Sequence, residues 1–238
     1  MKTAVVTGAS SGIGKAITLK LLQLDYKVIG LSRTISEELF NHPNFRAIQV
    51  DLREYKELLR VSKELDKEPI FILINSAGIG KFEPHEELSF QTITEISFLN
   101  LTAPMLLTKT FLRELKKNSG YLININSIEA IRASKFAAVY SATKAGLKAF
   151  SDALFEETRK TELSITNINP DMTETDFYDS LRFQPSVKEE EKLFATDIAD
   201  AVEHIITMRK GAVVTDYTIR SLKFGIRKKT PCKAQNFC

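Results

Sequence analysis

Short apolar runs alternate with longer amphipathic ones along most of the chain, and this alternation restricts the fold more than any other feature. The runs at Lys2–Thr7, Lys27–Leu31, Phe45–Val50, Ile70–Asn75, Tyr121–Asn126 and Ser164–Ile168, with a last one near Ala212–Tyr217, are nearly continuous in Val, Ile and Leu. Strands of that composition suit a sheet covered on both faces, as parallel sheets are. Helical spacing of apolar residues over Ile13–Leu24, Tyr55–Leu65, Thr92–Lys117, Ala137–Lys160 and Ala195–Met208 supplies the crossovers between them. Pro104 lies inside the third of these and predicts a kink or two pieces. Residues 171–194, with Pro185 and the run Glu189–Glu191, read as a less regular insertion, placed where loops close over ligands in such sheets. The pattern predicts a doubly wound, mostly parallel α/β sheet in three layers.

A chain of 238 residues, 43% hydrophobic and 26% charged, is of a size to form one such domain without disulfide staples. We expect that domain over residues 1–219 and a basic tail over 220–238. The tail holds Arg220, Lys223, Arg227, Lys228, Lys229 and Lys233 and no acid; without these six, 27 basic groups face 30 acidic ones. The tail has no nucleic-acid motif, so it reads as a solvated end rather than as a contact for nucleic acid or acidic lipid. Cys232 and Cys238 are the only cysteines, which points to a reducing, cytoplasmic setting. The N-terminal apolar stretch is too short for a signal peptide, and no segment approaches the roughly 20 apolar residues of a membrane span. His42, His85 and His204 stand apart from one another and from the cysteines, so no metal-ligand spacing exists.

Two constellations carry chemistry. The first is Thr7-Gly8-Ala9-Ser10-Ser11-Gly12-Ile13-Gly14, a glycine-rich turn after the first strand and before the first helix. Such a turn brings backbone close to a pyrophosphate, whose charge the helix N-terminus stabilises, which makes the sheet a dinucleotide-binding Rossmann fold. The second strand ends in Ser32-Arg33 where an NAD site wants a carboxylate for the ribose diol. Guanidinium pairs with phosphate and Ser32 does not repel it, so the sequence favours NADP(H) over NAD(H). The second constellation is Tyr140 and Lys144, four apart on one helix face. A phenol with a pKa near 10 is a poor base at neutral pH. A cation about 4 Å away offers the phenolate roughly 4 kcal/mol at an effective dielectric near 20, which predicts a lowered phenol pKa and general acid–base work. Taken alone, the pair reads equally as a buried aromatic beside a lysine stem.

Together these residues resemble the short-chain dehydrogenase/reductase family, through T-G-x-x-x-G-x-G at 7–14, Asn75-Ser76-Ala77-Gly78 and Tyr140-Ser141-Ala142-Thr143-Lys144. The likeness runs over about residues 2–176. It implies that Gly8, Ser10, Ser11, Gly12, Ile13, Gly14, Ser32, Arg33, Asp51, Leu52, Asn75, Ala77, Gly78, Tyr140, Lys144, Pro170, Thr173 and Thr175 meet the cofactor. Within that set Asp51-Leu52 looks like the family's adenine-contacting pair, and Pro170 to Thr175 like its P-G-x-x-x-T segment. The catalytic set it implies is Asn100, Ser127, Tyr140 and Lys144, with Ser127 orienting the substrate oxygen and Asn100 positioning a water or a backbone carbonyl. The implied reaction is hydride transfer between the nicotinamide and a carbonyl or secondary alcohol, in a homodimer or homotetramer.

Departures from the pattern leave alternatives. Asp171 stands where the family has glycine, and either faces the substrate or caps the next helix. Glu129, Arg132 and Lys135 either hint at a polar substrate or decorate a surface loop. A dinucleotide-binding regulator without catalysis is the alternative function, and a nucleotide-sugar epimerase, which shares Y-x-x-x-K, a more distant one.

Overall fold

The computed structural model describes residues 1–229. Its elements are β1 (Thr3–Thr7), α1 (Gly12–Gln23), β2 (Lys27–Ser32), β3 (Phe45–Gln49), α2 (Tyr55–Glu64), β4 (Ile70–Asn75), α3 (Phe90–Ser97), α4 (Ala103–Lys117), β5 (Tyr121–Ile125), α5 (Ala138–Thr158), β6 (Ser164–Pro170), β7 (Thr173–Glu174), β8 (Phe183–Pro185), β9 (Leu193–Phe194), α6 (Ala195–Thr207), β10 (Asp216–Ile219) and β11 (Ile226–Lys228). Seven strands form one sheet in the order β3-β2-β1-β4-β5-β6-β10, every pair parallel. The order reverses between β1 and β4, and a crevice opens there beyond the strand ends.

Alternate residues of each strand feed opposite cores. Ala4, Val6, Val28, Ile72, Ile74 and Ile123 pack with Ile17 and Leu21 of α1 and Ile198, Val202 and Ile205 of α6. Val5, Ile29, Leu31, Leu73 and Leu122 pack with Leu58 and Val61 of α2, Leu107, Phe111 and Leu115 of α4, and Leu154 of α5. This is the three-layer, doubly wound sheet that the alternation of runs implies.

Three details depart from the sequence reading. The third helical stretch starts at Phe90, capped by Ser89, whose hydroxyl accepts from Thr92 N. Its break is a π-helical turn at Phe98–Thr102, not a kink at Pro104; the proline sits in the first turn of α4, where a missing N–H costs least. The last sheet strand begins at Asp216, four residues later than 212, because Gly211 (φ +87°) turns the chain beforehand. The tail expected from residue 220 is not a free end over its described part. Ile226–Lys228 pairs antiparallel with Phe183–Pro185, and Lys229 N donates to the Arg182 carbonyl at 2.9 Å. Backbone pairing, blind to side-chain charge, overrides the composition of the tail. Lys233, Cys232 and Cys238 lie outside the described residues.

Phe111 is 1% exposed and packs α4 against the sheet. Phe111→Ala is expected to lower unfolding free energy by about 3–5 kcal/mol. Guanidinium titration reads this as a lower midpoint with an unchanged slope; a midpoint equal to wild type contradicts the packing described.

Candidate active site

The crevice holds a cavity of about 480 Å³. One side is the β1–α1 turn. Gly8 has φ +68°, and a Cβ on Gly14 would sit 2.2 Å from the Gly8 carbonyl oxygen, so the helix start lies directly on the strand end. Gly8 N donates to Leu31 O at 2.8 Å, and Thr7 Oγ1 accepts from Ser76 N and Ala77 N at 2.9 Å each. Those bonds lock the turn to β2 and to the loop after β4. Ser11, at the N-cap of α1, makes no side-chain cap, so the first amides of α1 face the cavity without an internal acceptor. The cradle is shaped for an anion approached by bare backbone, and a pyrophosphate fits it.

Gly8, Ser11, Gly12, Ile13, Gly14, Arg33, Ala77, Gly78, Ser127, Tyr140, Lys144, Pro170, Thr173 and Thr175 all line the cavity. Arg33 makes no ion pair among the described residues. Other expected cofactor contacts are not among the residues that line it. Asp51 is held by Arg53 through Nε at 3.0 Å and Nη2 at 2.6 Å, which keeps its carboxyl below the ordinary range. Leu52 is buried in the core beside α2. Asn75 is buried and donates to Asn124 Oδ1 at 2.8 Å, so it braces β4 against β5 instead of facing the cavity. Ser10 and Ser32 share a 2.7 Å hydrogen bond that ties the glycine turn to the end of β2.

Asn100 lies on the π-helical turn and is 1% exposed. Its Nδ2 donates to Ile79 O at 2.8 Å, its Oδ1 accepts from Ile79 N at 3.0 Å, and Thr143 Oγ1 lies at 3.3 Å. It thus clamps the loop after β4 to α5 just behind Lys144.

Tyr140 and Lys144 project from the buried face of α5, 7% and 5% exposed. Lys144 Nζ donates to Ile125 O at 2.9 Å and stands 5.8 Å from the Tyr140 ring centroid. The electrostatics differ from the sequence expectation of a lowered phenol. Burial pushes the Tyr140 phenol up to about 12, partly offset by the neighbouring Ser127 hydroxyl and reinforced by the Glu129 carboxylate. Burial lowers Lys144 from 10.5 to about 8. Desolvation outweighs attraction here, because the ammonium is directed at a carbonyl instead of the phenol oxygen.

The remaining charged candidates resolve as follows. Glu129 accepts from Ser134 N at 2.8 Å and from Ser141 Oγ at 2.7 Å, which fixes the loop before α5. Neither it nor Arg132 nor Lys135 lines the cavity, so the hint of a polar substrate loses its basis. Asp171 lines the cavity but is paired with Arg220 Nε at 3.1 Å, and β7 rather than a helix follows it. Sequence reasoning missed Arg53, Ile79 and the aromatic residues around Tyr140. Only the aromatic density of Phe177-Tyr178 and Phe183, in an otherwise loop-like insertion, signalled the last of these.

The sequence profile described as short chain dehydrogenase matches residues 2–185. An uncharacterised oxidoreductase of Staphylococcus epidermidis is 32% identical over 230 residues, covering 92% of this chain and 96% of the relative. Among solved structures, an alcohol dehydrogenase from the archaeon Thermococcus sibiricus complexed with 5-hydroxy-NADP superposes with a TM-score of 0.83 at 26% identity, covering 93% and 97% of the two chains. The serine dehydrogenase of Escherichia coli superposes with a TM-score of 0.77 at 25% identity, covering 91% and 96%.

The Lys144 shift makes stability depend on pH. Its folded pKa, about 8, lies below the unfolded 10.5, so protonation favours the unfolded chain. The penalty is complete below about 8 and absent above 10.5, hence wild-type stability gains from this group as pH rises between them. The difference in unfolding free energy between wild type and Lys144→Met, followed by denaturant titration without nucleotide, is expected to change by about 3 kcal/mol across that window. Parallel curves would show that Lys144 is not desolvated.

Proposed function

Because the chain belongs to the short-chain dehydrogenase family, we propose that this oxidoreductase uses NADP(H) to interconvert a carbonyl compound and its alcohol, with Tyr140 as general acid and base. The observation that carries the reading is a single cavity lined by the glycine turn, Arg33, Ser127, Tyr140 and Lys144 together. The turn amides and the N-terminus of α1 would hold the pyrophosphate, Arg33 the 2′-phosphate, and Lys144 with Tyr140 the nicotinamide ribose. When bound, NADP(H) supplies or accepts the hydride.

The chain's own residues handle the proton. With the phenol at about 12, Tyr140 is fully protonated at neutral pH and is a ready donor to a carbonyl oxygen gaining negative charge. Ser127 donates a hydrogen bond to the same oxygen and sets its orientation. Once the proton has left, the phenolate is stabilised by the Lys144 ammonium, whose pKa near 8 leaves it mostly charged at pH 7. Asn100 works one step back: by gripping Ile79 it holds the loop against which Lys144 packs. The family resemblance also supports a homodimer or homotetramer, paired through the outward faces of α4 and α5, and the cysteine usage supports a cytoplasmic setting.

Tyr140→Phe is expected to lose at least about 10²-fold in turnover with any carbonyl that the wild type reduces. Reductive kcat/KM of the wild type is expected to hold through neutral pH and bend downward above about 8 as Lys144 loses its proton. Turnover of the phenylalanine variant within a few-fold of wild type would remove Tyr140 as donor. Arg33→Ala is expected to weaken NADPH binding by roughly tenfold and leave NADH binding unchanged, as read by nucleotide fluorescence titration. Equal losses for both nucleotides would mean that Arg33 does not read the 2′-phosphate.

A further inference from the structure

We propose that Phe177 and Tyr178 form, together with Tyr140, the cavity face of an aromatic box, backed by Phe82 and Phe183, that selects uncharged substrates bearing an aromatic ring beside the carbonyl carbon. The inference names a substrate class for the site and rests on the reading of Tyr140 as its proton donor.

The rings come from separate parts of the chain. Phe82 lies in the loop after β4, Phe177 and Tyr178 in the insertion after β7, and Phe183 at the start of β8. Ring centroids stand 5.3 Å apart for Phe82 and Tyr140, 5.8 Å for Tyr140 and Phe177, 5.2 Å for Phe177 and Tyr178, 5.8 Å for Tyr178 and Phe183, and 5.1 Å for Phe183 and Phe82. The five contacts close a ring with the proton donor as one member. All are tilted or edge-to-face, the arrangement that aromatic quadrupoles prefer, and each contact of this kind is worth about two- to tenfold in affinity.

Bare backbone makes the box possible. A Cβ on Gly80 would stand 2.6 Å from Phe177 Cζ and 2.9 Å from Phe82 Cε2, so both rings rest where a side chain would be. The wall is also held from outside. β11 pairs with β8 and fixes Phe183, while Lys229 Nζ donates to the carbonyls of Tyr178 at 2.6 Å and Asp179 at 2.9 Å. A wall ordered before the substrate arrives loses little entropy on binding.

Charge excludes anions. The insertion contributes Asp171, Asp176 and Asp179 to the cavity lining. The cations lining it are Arg33, beside the glycine turn, and Lys144, turned to Ile125 O beneath Tyr140. Arg220 offsets Asp171 at 3.1 Å, which leaves Asp176 and Asp179 as the like charges that a substrate carboxylate would meet, and like charges at short range are mutually unfavourable.

The test uses three 2-oxo substrates with NADPH. Methyl benzoylformate and methyl pyruvate differ only in phenyl against methyl, and benzoylformate differs from its ester in charge. The aryl ketone is the less electrophilic, so any advantage it shows reports binding. The KM for methyl benzoylformate is expected to be at least tenfold below that for methyl pyruvate. The kcat/KM for benzoylformate is expected to be at least tenfold below that for its ester. In Phe177→Ala and in Gly80→Ala the phenyl advantage is expected to shrink to threefold or less. Saturation-transfer NMR of acetophenone on the same proteins reads the box independently of turnover. If no carbonyl is reduced but acetophenone binds wild type and weakens at least tenfold in both variants, the box stands and the reductase reading falls. Equal KM values for the two esters, or acetophenone binding unchanged in both variants, would overturn the proposal.

Discussion

The contact of Gly14 with the Gly8 carbonyl is the constraint on which the rest depends. With a Cβ at 14 only 2.2 Å from that oxygen, no other residue lets α1 start so directly on the end of β1. That placement aims the uncapped first turn of α1 into the crevice at the point where strand order reverses. Ser11 at that end is exposed, so the first amides are open to a ligand, and the positive end of the helix favours an anion there. Thr7, bonded to the amides of Ser76 and Ala77, carries the same constraint across to the far wall of the cavity. The nucleotide cradle is thus a property of the backbone more than of side chains.

Tyr140 and Lys144 obey a different logic. Both are buried, and burial disfavours the charged form of each, which is why the phenol stands near 12 and the amine near 8. A lysine four residues on does not by itself acidify a tyrosine; it must also point at the oxygen. Here the ammonium is directed at Ile125 O, and the phenol remains a neutral donor. Such a pair suits protonation of a developing alkoxide without a proton having to be drawn off the phenol first.

The fold was legible because it rests on local periodicity. Val5 and Val6 can be assigned to opposite cores from alternation alone, and the glycine turn needs only its place between strand and helix. Side-chain partners were not legible. Asp51 has the right chemistry for a ribose or an adenine, yet Arg53, two residues away, occupies it through several bonds. The basic tail misled for a related reason. Composition describes what side chains prefer in water, whereas residues 226–228 are placed by backbone hydrogen bonds to β8, which composition does not encode. The aromatic wall joins Phe82 to Phe183 across a hundred residues of chain, and only the folded sheet brings the two loops together.

The same distinction explains an amide ladder along the edge of the sheet that faces the cavity. Asn75 donates to Asn124 and Asn124 to Ser151 of α5, each at 2.8 Å; Asn126 donates to Asn167, and Asn167 to Asp152 of α5 at 3.4 Å. Asn169 donates to Asp216 at 3.1 Å, which pairs with Lys148 of α5 at 3.0 Å. Apolar residues at these positions would bury as much surface, and three of the asparagines leave an oxygen without a protein partner, which is unfavourable. Hydrophobic contact, however, is non-directional and lets a helix slide or rotate on a sheet. Hydrogen bonds from three strands to Lys148, Ser151 and Asp152 fix α5 in register, one to three turns beyond Lys144 and Tyr140. The ladder therefore gives up some stability at the strand ends in return for a fixed position of Tyr140 beside the cavity.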